Sequence, residues 1–322
     1  MKKALFALLL ALPALTAPSA MAQQYPSKPI VLVVPFAPGG TSELISRLVA
    51  QKLTERLGQQ VVVENRPGAA GNIAMEQVAR AAPDGYTLIL GHIGTLAVNP
   101  AMFPKLPYDA IKDFAPVSLI AAVPNIVAVN PAVPAKTLKE FLDLARAKPG
   151  SINYGSAGNG SAGHLAMEYL KRIAKADMVH VPYKGTGPML TDLLAGQTQA
   201  TFTGSSPLIP HIKSGKLRAL AVGSAVRIPS LPEVPTVAES GFAGFETSQW
   251  YGIIAPAKTP PAIIQKLSVE IAQVMKQPDV IARLSGDGTV MIGSTPNEFA
   301  AYISKEMKRW GEVVHDANIK AE

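Results

Sequence analysis

Two glycine-rich stretches carry the most chemistry in the chain: Phe36-Ala37-Pro38-Gly39-Gly40-Thr41-Ser42-Glu43 and Ser156-Ala157-Gly158-Asn159-Gly160-Ser161-Ala162-Gly163-His164. Each follows a short apolar run and precedes an amphipathic one, the layout of a strand whose carboxyl end turns into a helix start. Helix starts leave backbone N–H groups unpaired and carry the positive end of the helix dipole, so they attract anions. Glycine lets the backbone approach a ligand closely, and Thr41, Ser42, Ser156 and Ser161 add hydroxyl donors. One such loop serves equally well as a tight turn with a helix cap. A pair, one in each half of the chain, points to an anion held across a cleft.

Other chemistries fit less well. Gly158-Asn159-Gly160-Ser161-Ala162-Gly163 is a literal G-x-G-x-x-G, and Asp177 lies 19 residues beyond its first glycine, near dinucleotide spacing. Asp177 precedes the next expected strand, whereas a ribose-binding acid belongs at a strand's carboxyl end, so no nucleotide cofactor is expected. The histidines are His92, His164, His180, His211 and His315; no two have metal-ligand spacing, and no metal is expected. The absence of cysteine excludes thiolate nucleophiles, thiolate metal sites and iron–sulfur clusters. Ser161 is not in a G-x-S-x-G elbow, because Asn159 stands in the first glycine's place. A secreted hydrolase using Ser161 and His164 remains the rival from another class; His164 equally fits a ligand contact or a helix cap. Trp250 and Trp310 read as packing residues, with Trp250-Tyr251 near the expected cleft floor able to serve both packing and ligand. No Lys/Arg cluster is interleaved with aromatics, so nucleic acid is not an expected partner.

The chain that must position these loops has 322 residues, 48% hydrophobic and 16% charged, and no cysteine. Charge is below the roughly 25% usual for soluble domains, but the apolar content excludes disorder. The 26 glycines and 28 prolines follow no repeat, which excludes collagen and implies many turns. Lys2 and Lys3, an apolar run from Ala4 to Ala17, and Ala20-Met21-Ala22 before Gln23 have the layout of a secretory signal cleaved after Ala22. The run is shorter than the roughly 20 residues a spanning helix needs. Removing 22 of the 322 residues leaves 300, and loss of both lysines lowers the formal net charge from +7 to +5. A soluble, exported protein is expected, without a lipid anchor and stable from its core alone.

Apolar runs alternate with helical patterns along the chain. Strands are expected at 29–35, 60–64 and 86–90, with helices from Ser42 and over 72–82. A second series has strands at 126–129, 152–155, 178–181, 200–202 and 217–222, with helices from Thr137, over 161–174 and over 186–195. A strand at 248–255 precedes a helical end: 260–276, 279–284, and a helix from Thr295 to about Ala317. Thr137 with Glu140, and Thr295 with Glu298, have capping-box spacing. This order predicts an α/β fold of two lobes, each a mostly parallel sheet flanked by helices. The expected lobes are 23–124 with 251–322, and 125–250, crossed near Ala122–Asn125 and Gln249–Tyr251. Two crossings place hinges at the base of a cleft.

At these loops the sequence resembles the periplasmic solute-binding receptors of tripartite tricarboxylate transporters, the Bug receptors. Matching segments are Tyr25-Pro-Ser-Lys-Pro-Ile30, Val34-Pro-Phe-Ala-Pro-Gly-Gly40 and Val63-Glu-Asn-Arg-Pro-Gly-Ala-Ala-Gly-Asn72. Others are Asp84-Gly-Tyr86, Leu106-Pro-Tyr-Asp109, Gly158-Asn-Gly-Ser161, Val181-Pro-Tyr-Lys-Gly185, Lys216-Leu-Arg-Ala-Leu-Ala221 and Pro232-Glu-Val-Pro-Thr-Val-Ala-Glu239. The resemblance spans essentially the whole mature chain. It implies a Venus-flytrap, periplasmic-binding-protein fold that binds a small organic carboxylate and delivers it to the membrane subunits of the transporter. It also implies a monomer without cofactor or catalysis. The carboxylate is expected in a pincer formed by 36–43 and 156–164, through N–H groups and bridging water. The ligand's body is expected near Thr95, Gly185 and Thr186 after Lys184, and Thr203-Gly204-Ser205. Two positions depart from the family pattern: Glu43 replaces the usual Asp, and Thr203-Gly204-Ser205 lacks the common acid after Phe202. The missing acid argues against ligands with an amino group and for a di- or aromatic carboxylate. Presentation to a membrane sensor instead of a transporter remains open.

Overall fold

The structure is a computed structural model that describes residues 25–316; the expected signal segment and its cleavage site lie outside the described residues. In chain order the elements are β1 (Ile30–Val34), α1 (Thr41–Leu57), β2 (Val61–Asn65), α2 (Asn72–Ala79), β3 (Thr87–His92), α3 (Asn99–Met102), β4 (Phe114–Val129), α4 (Leu138–Ala147), β5 (Asn153–Ser156) and α5 (Ala162–Ala174). They continue with β6 (Val179–Pro182), α6 (Thr186–Leu194), β7 (Ala200–Gly204), α7 (Ser205–Lys213), β8 (Arg218–Val222), β9 (Ser248–Pro256), α8 (Pro261–Val274), α9 (Pro278–Ser285), β10 (Val290–Met291) and α10 (Pro296–Asp316).

The strands follow the order β2-β1-β3-β9-β4-β7-β5-β6, with β8 and β10 also on β4. Those at either end pair in parallel: β1 with β2 and β3, and β5 with β6 and β7. The centre differs from the mostly parallel expectation. There β9 runs antiparallel to β3 and β4, and β4 runs antiparallel to β7 and β8. β4 changes partner between Pro124, opposite Ser248, and Asn125, opposite Gly204, so one strand serves both lobes. Along β4 the side chains alternate between two cores: Val127 and Val129 pack with α4 and α5, Ile126 and Ala128 with α6 and α7. In the first lobe Ile30, Leu32 and Val34 face α1 and α8, while Val33 faces the side of α2 and α10.

Local chemistry sets the helix starts. Thr137 accepts from the Glu140 N–H at 3.2 Å, and Glu140 accepts from the Lys136 N–H at 2.6 Å. At α10 the Glu298 N–H reaches Thr295 Oγ1 at 3.3 Å, and the Thr295 N–H returns to Glu298 at 2.8 Å. Both expected capping boxes are therefore made.

α10 also anchors β9 through a buried carboxylate. Glu306 Oε2 accepts the indole N–H of Trp250 at 2.9 Å and of Trp310 at 3.0 Å. Trp250 meets Phe299 and Tyr302 edge-on, at 6.1 and 5.4 Å between centroids. Trp250 thus belongs to α10, and alternation along β9 turns Gln249 and Tyr251 the other way. Replacing Glu306 by Leu strips both buried N–H groups of their acceptor, at about 1–3 kcal/mol each. Thermal unfolding followed by circular dichroism is expected to show a melting temperature lowered by roughly 5–10 °C.

Candidate functional site

The first loop leaves β1 at Pro35 and enters α1 through Gly40, whose lack of a side chain leaves the helix start without a side-chain cap. The N–H groups of Thr41 and Ser42 have no intrahelical partner and remain open to a ligand. Gly39, with φ +91°, adopts a conformation that favours glycine. Its N–H donates to Glu43 Oε2 at 2.7 Å, and Glu43 Oε1 accepts from Arg47 Nε at 2.7 Å. Glu43 therefore has both oxygens engaged: it closes the loop and is neutralised by Arg47. Asn65 Nδ2 holds the Phe36 carbonyl at 2.9 Å from the neighbouring strand end.

The second loop is held from within. Ser161 caps α5 by accepting the His164 N–H at 3.3 Å. The Gly158 N–H donates to Ser156 Oγ at 3.0 Å, the Ser161 N–H to the Gly158 carbonyl at 3.0 Å, and the Gly160 N–H to His164 Nδ1 at 3.1 Å. Those N–H groups are committed to the loop, which leaves Ala162 and Gly163 at the start of α5 without intrahelical partners. Ala157 and Asn159 are half-buried at the loop's flank.

The lobes meet through their glycines. The Ala37 N–H donates to the Lys184 carbonyl at 2.9 Å, and a Cβ on Gly185 would lie 2.8 Å from the Ala37 nitrogen. A Cβ on Gly187 would lie 2.1 Å from the Pro38 carbonyl oxygen, and one on Gly40 3.1 Å from Thr186 Cβ. Further in, a Cβ on Gly160 would lie 2.5 Å from Asn99 Oδ1, and one on Gly204 2.7 Å from Thr41 Oγ1. The first loop thus closes against the start of α6, and the second against α3. Pro38 and Gly39 stay exposed at the rim.

Between these contacts runs a floor of neutral polar groups. Tyr251 meets Thr41 and donates to Gln249 Oε1, and Gln249 Nε2 donates to Thr203 Oγ1 at 3.3 Å. The string joins the start of α1 to the end of β7. His92, at the end of β3, lies with its ring 4.7 Å from Phe36 and 6.1 Å from Tyr251. Its Nδ1 accepts the Thr95 N–H at 3.1 Å, and Thr95 Oγ1 accepts the His92 N–H at 3.1 Å. Thr95 is accordingly buried in a π-helical turn over Gly94–Val98, its hydroxyl occupied by His92.

Thirteen of the expected residues at 36–43, 185–186 and 203–205 gather around this interlobe contact, with one departure in direction. Ser205 Oγ donates to the Asp287 carbonyl at 2.9 Å, toward the segment before β10. Sequence reasoning missed His92 and Gln249. A histidine at the carboxyl end of a strand was the available signal for the first. Nothing local marked the second, whose place comes from antiparallel pairing across the sheet.

Burial dominates the electrostatics. It lowers the pKa of His92 and His164 to about 4. It lowers that of His180 to about 3, helped by the neighbouring His164 and Lys171. Burial also raises the Tyr251 hydroxyl well above its ordinary value. The depressed histidines have a consequence for stability. The unfolded chain takes up protons below about pH 6.5 while the folded rings stay neutral to about pH 4, so stability falls as pH drops through that window. Urea unfolding at pH 5.5 is expected to show stability lower than at pH 7.5 by about 1 kcal/mol for each buried histidine.

Residues 45–319 match the family described as the tripartite tricarboxylate transporter family receptor. The protein BugT of Bordetella pertussis (strain Tohama I) is 36% identical over 300 residues, covering 93% of this chain and 92% of BugT. A solved structure of an R. palustris protein with adipate has TM-score 0.89 at 36% identity, covering 92% of this chain and 99% of that one. MatC from Rhodopseudomonas palustris with bound malate has TM-score 0.86 at 36% identity, covering 90% of this chain and 100% of that one. A match across most of the chain, over a two-lobed fold shared with these structures, makes the protein a member of the tripartite tricarboxylate transporter receptor family.

Proposed function

We propose that this receptor captures a small organic carboxylate between its lobes in the periplasm and passes it to the membrane subunits of a tripartite transporter. A di- or aromatic carboxylate is favoured. The observation that carries this reading is the pair of helix starts with unpaired first N–H groups, the uncapped α1 and α5 beyond its Ser161 cap, on opposite lobes that close upon each other. The adipate and malate in the related structures are of the same chemical class. Against an amino group stand the engagement of Glu43 by Gly39 and Arg47 and the neutral run Thr203-Gly204-Ser205. For an aromatic body stands the cluster of Phe36, His92 and Tyr251 rings packed behind the first loop.

Capture without conversion is part of the same reading. Ser161 Oγ is occupied as the cap of α5, and His164 Nδ1 is occupied by the Gly160 N–H. Serine and histidine therefore serve the loop and not each other, which counts against a hydrolase. The periplasmic assignment rests on the leader at 1–22, with cleavage after Ala22. The proposed lobes are 23–124 with 251–322, and 125–250, in a monomer.

Calorimetric titration against adipate, malate, benzoate and aspartate tests the proposal. At least one of the first three is expected to bind with Kd of about 10 μM or tighter, and aspartate at least about tenfold more weakly. Valine at Gly39 or Gly160 is expected to abolish binding while each lobe still folds. Failure of every carboxylate to bind below roughly 1 mM would overturn the receptor reading.

A further inference from the structure

Behind the second loop two histidine rings lie face to face. His164 of α5 and His180 of β6 stack with centroids 4.1 Å apart and planes 21° apart, and His180 stacks in turn on Tyr154 at 4.9 Å. Each ring holds a different point of the loop. The Gly160 N–H donates to His164 Nδ1 at 3.1 Å. A backbone N–H can only donate, so that nitrogen is a lone pair and His164 is neutral with its proton on Nε2. His180 Nε2 lies 2.7 Å from Ser156 Oγ, the atom that accepts the Gly158 N–H.

We propose that His164 and His180 are positioning residues of the second loop, acting through Gly160 and Ser156 to orient the N–H groups that meet the carboxylate. The loop needs this support. Gly158 and Gly160 have φ of +121° and +72°, and a glycine backbone without side chains has many other conformations available. Pinning the N–H groups of Gly158 and Gly160 inward defines the loop and leaves those of Ala162 and Gly163 for the ligand.

The brace needs a neutral His164, because an imidazolium has no acceptor nitrogen for the Gly160 N–H, and two charged rings stacked at 4.1 Å would repel. The charged groups acting on the rings are Glu168 and Lys171 of α5. These pair with each other at 2.7 Å, and Glu168 also accepts the Tyr154 hydroxyl at 2.6 Å, so neither offers His164 an uncompensated charge. On the β6–α6 side, the Tyr183 hydroxyl donates to Asp192 at 2.6 Å. From the first lobe the loop meets the neutral Gly94, Asn99 and Met102.

Because the brace lies within one lobe, it can be read without ligand. The test compares the full wild-type chain with His164→Leu, which fills the ring's space without an acceptor, and His164→Asn, whose Oδ1 takes the place of Nδ1. Amide exchange of Gly160 by nuclear magnetic resonance is the first readout. Protection is expected in the wild type, to fall about tenfold or more in His164→Leu, and to be recovered in His164→Asn. Adipate titration is the second: affinity is expected to fall about tenfold or more in His164→Leu and to be largely rescued by His164→Asn. If the ring served packing alone, leucine would be the better replacement. Equal Gly160 protection in all three proteins, or a better-protected Gly160 in His164→Leu than in His164→Asn, would overturn the proposal. The affinity arm rests on the receptor function proposed above. If the wild type binds neither adipate nor malate, that function fails with these ligands, while Gly160 exchange still decides the brace.

Discussion

A helix that starts at a glycine leaves its first N–H groups bare, and α1 does so at Gly40. Such groups in a closing cleft are stable only if water or an anion meets them, because an unpaired buried donor costs about 1–3 kcal/mol. Most of the surrounding structure follows from this demand. The tips must be glycine so that facing backbones can approach, as Gly187 does to the Pro38 carbonyl. The nearby acid must be neutralised, as Glu43 is by Arg47, or it would compete for the same donors. The polar floor of Thr41, Tyr251, Gln249 and Thr203 must be uncharged and internally bonded, so that it adds no fixed charge to the site.

The frame supplies both precision and the means to move. β4 and β9 are the strands shared at the centre, and β4 passes from one sheet to the other between Pro124 and Asn125. Glu306 fixes β9 from the far side by binding Trp250, which sets which face Gln249 and Tyr251 present. In the proposed capture, bending at this crossing brings the loops together while each core stays packed, since cores resist deformation far more than a few strand residues do. The buried histidines follow the same logic on a smaller scale. Each ring that accepts a loop N–H has to stay neutral, and burial keeps it so.

Much of this was legible in the residues. Both loops, the parallel strands beside them and the capping boxes at Thr137 and Thr295 are local patterns, and each appears in the structure. What was hidden depends on distant partners. β4 read as a strand only over 126–129, because Pro116 and Pro124 interrupt the run; the structure tolerates Pro116 at a register shift and Pro124 where the strand changes sheets. α7 was not anticipated, since Pro207 and Pro210 sit inside its nine residues. The antiparallel placement of β9, and with it the site position of Gln249, comes from pairing between segments more than 100 residues apart, for which no local signal exists. Glu43 and Thr95 were legible as site neighbours, but not the hydrogen bonds that engage them within their own loops.

The central claim is that an anion is held by backbone N–H groups from both lobes, without a side-chain cation. Its most direct measurement is the amide proton spectrum of the labelled protein with and without a saturating carboxylate, compared with the corresponding amide. The carboxylate is predicted to move the amide protons of Thr41, Ser42, Ala162 and Gly163 downfield together, and the neutral amide to leave them in place. Shifts confined to one lobe, or centred on Lys184 and other basic side chains, would contradict the account.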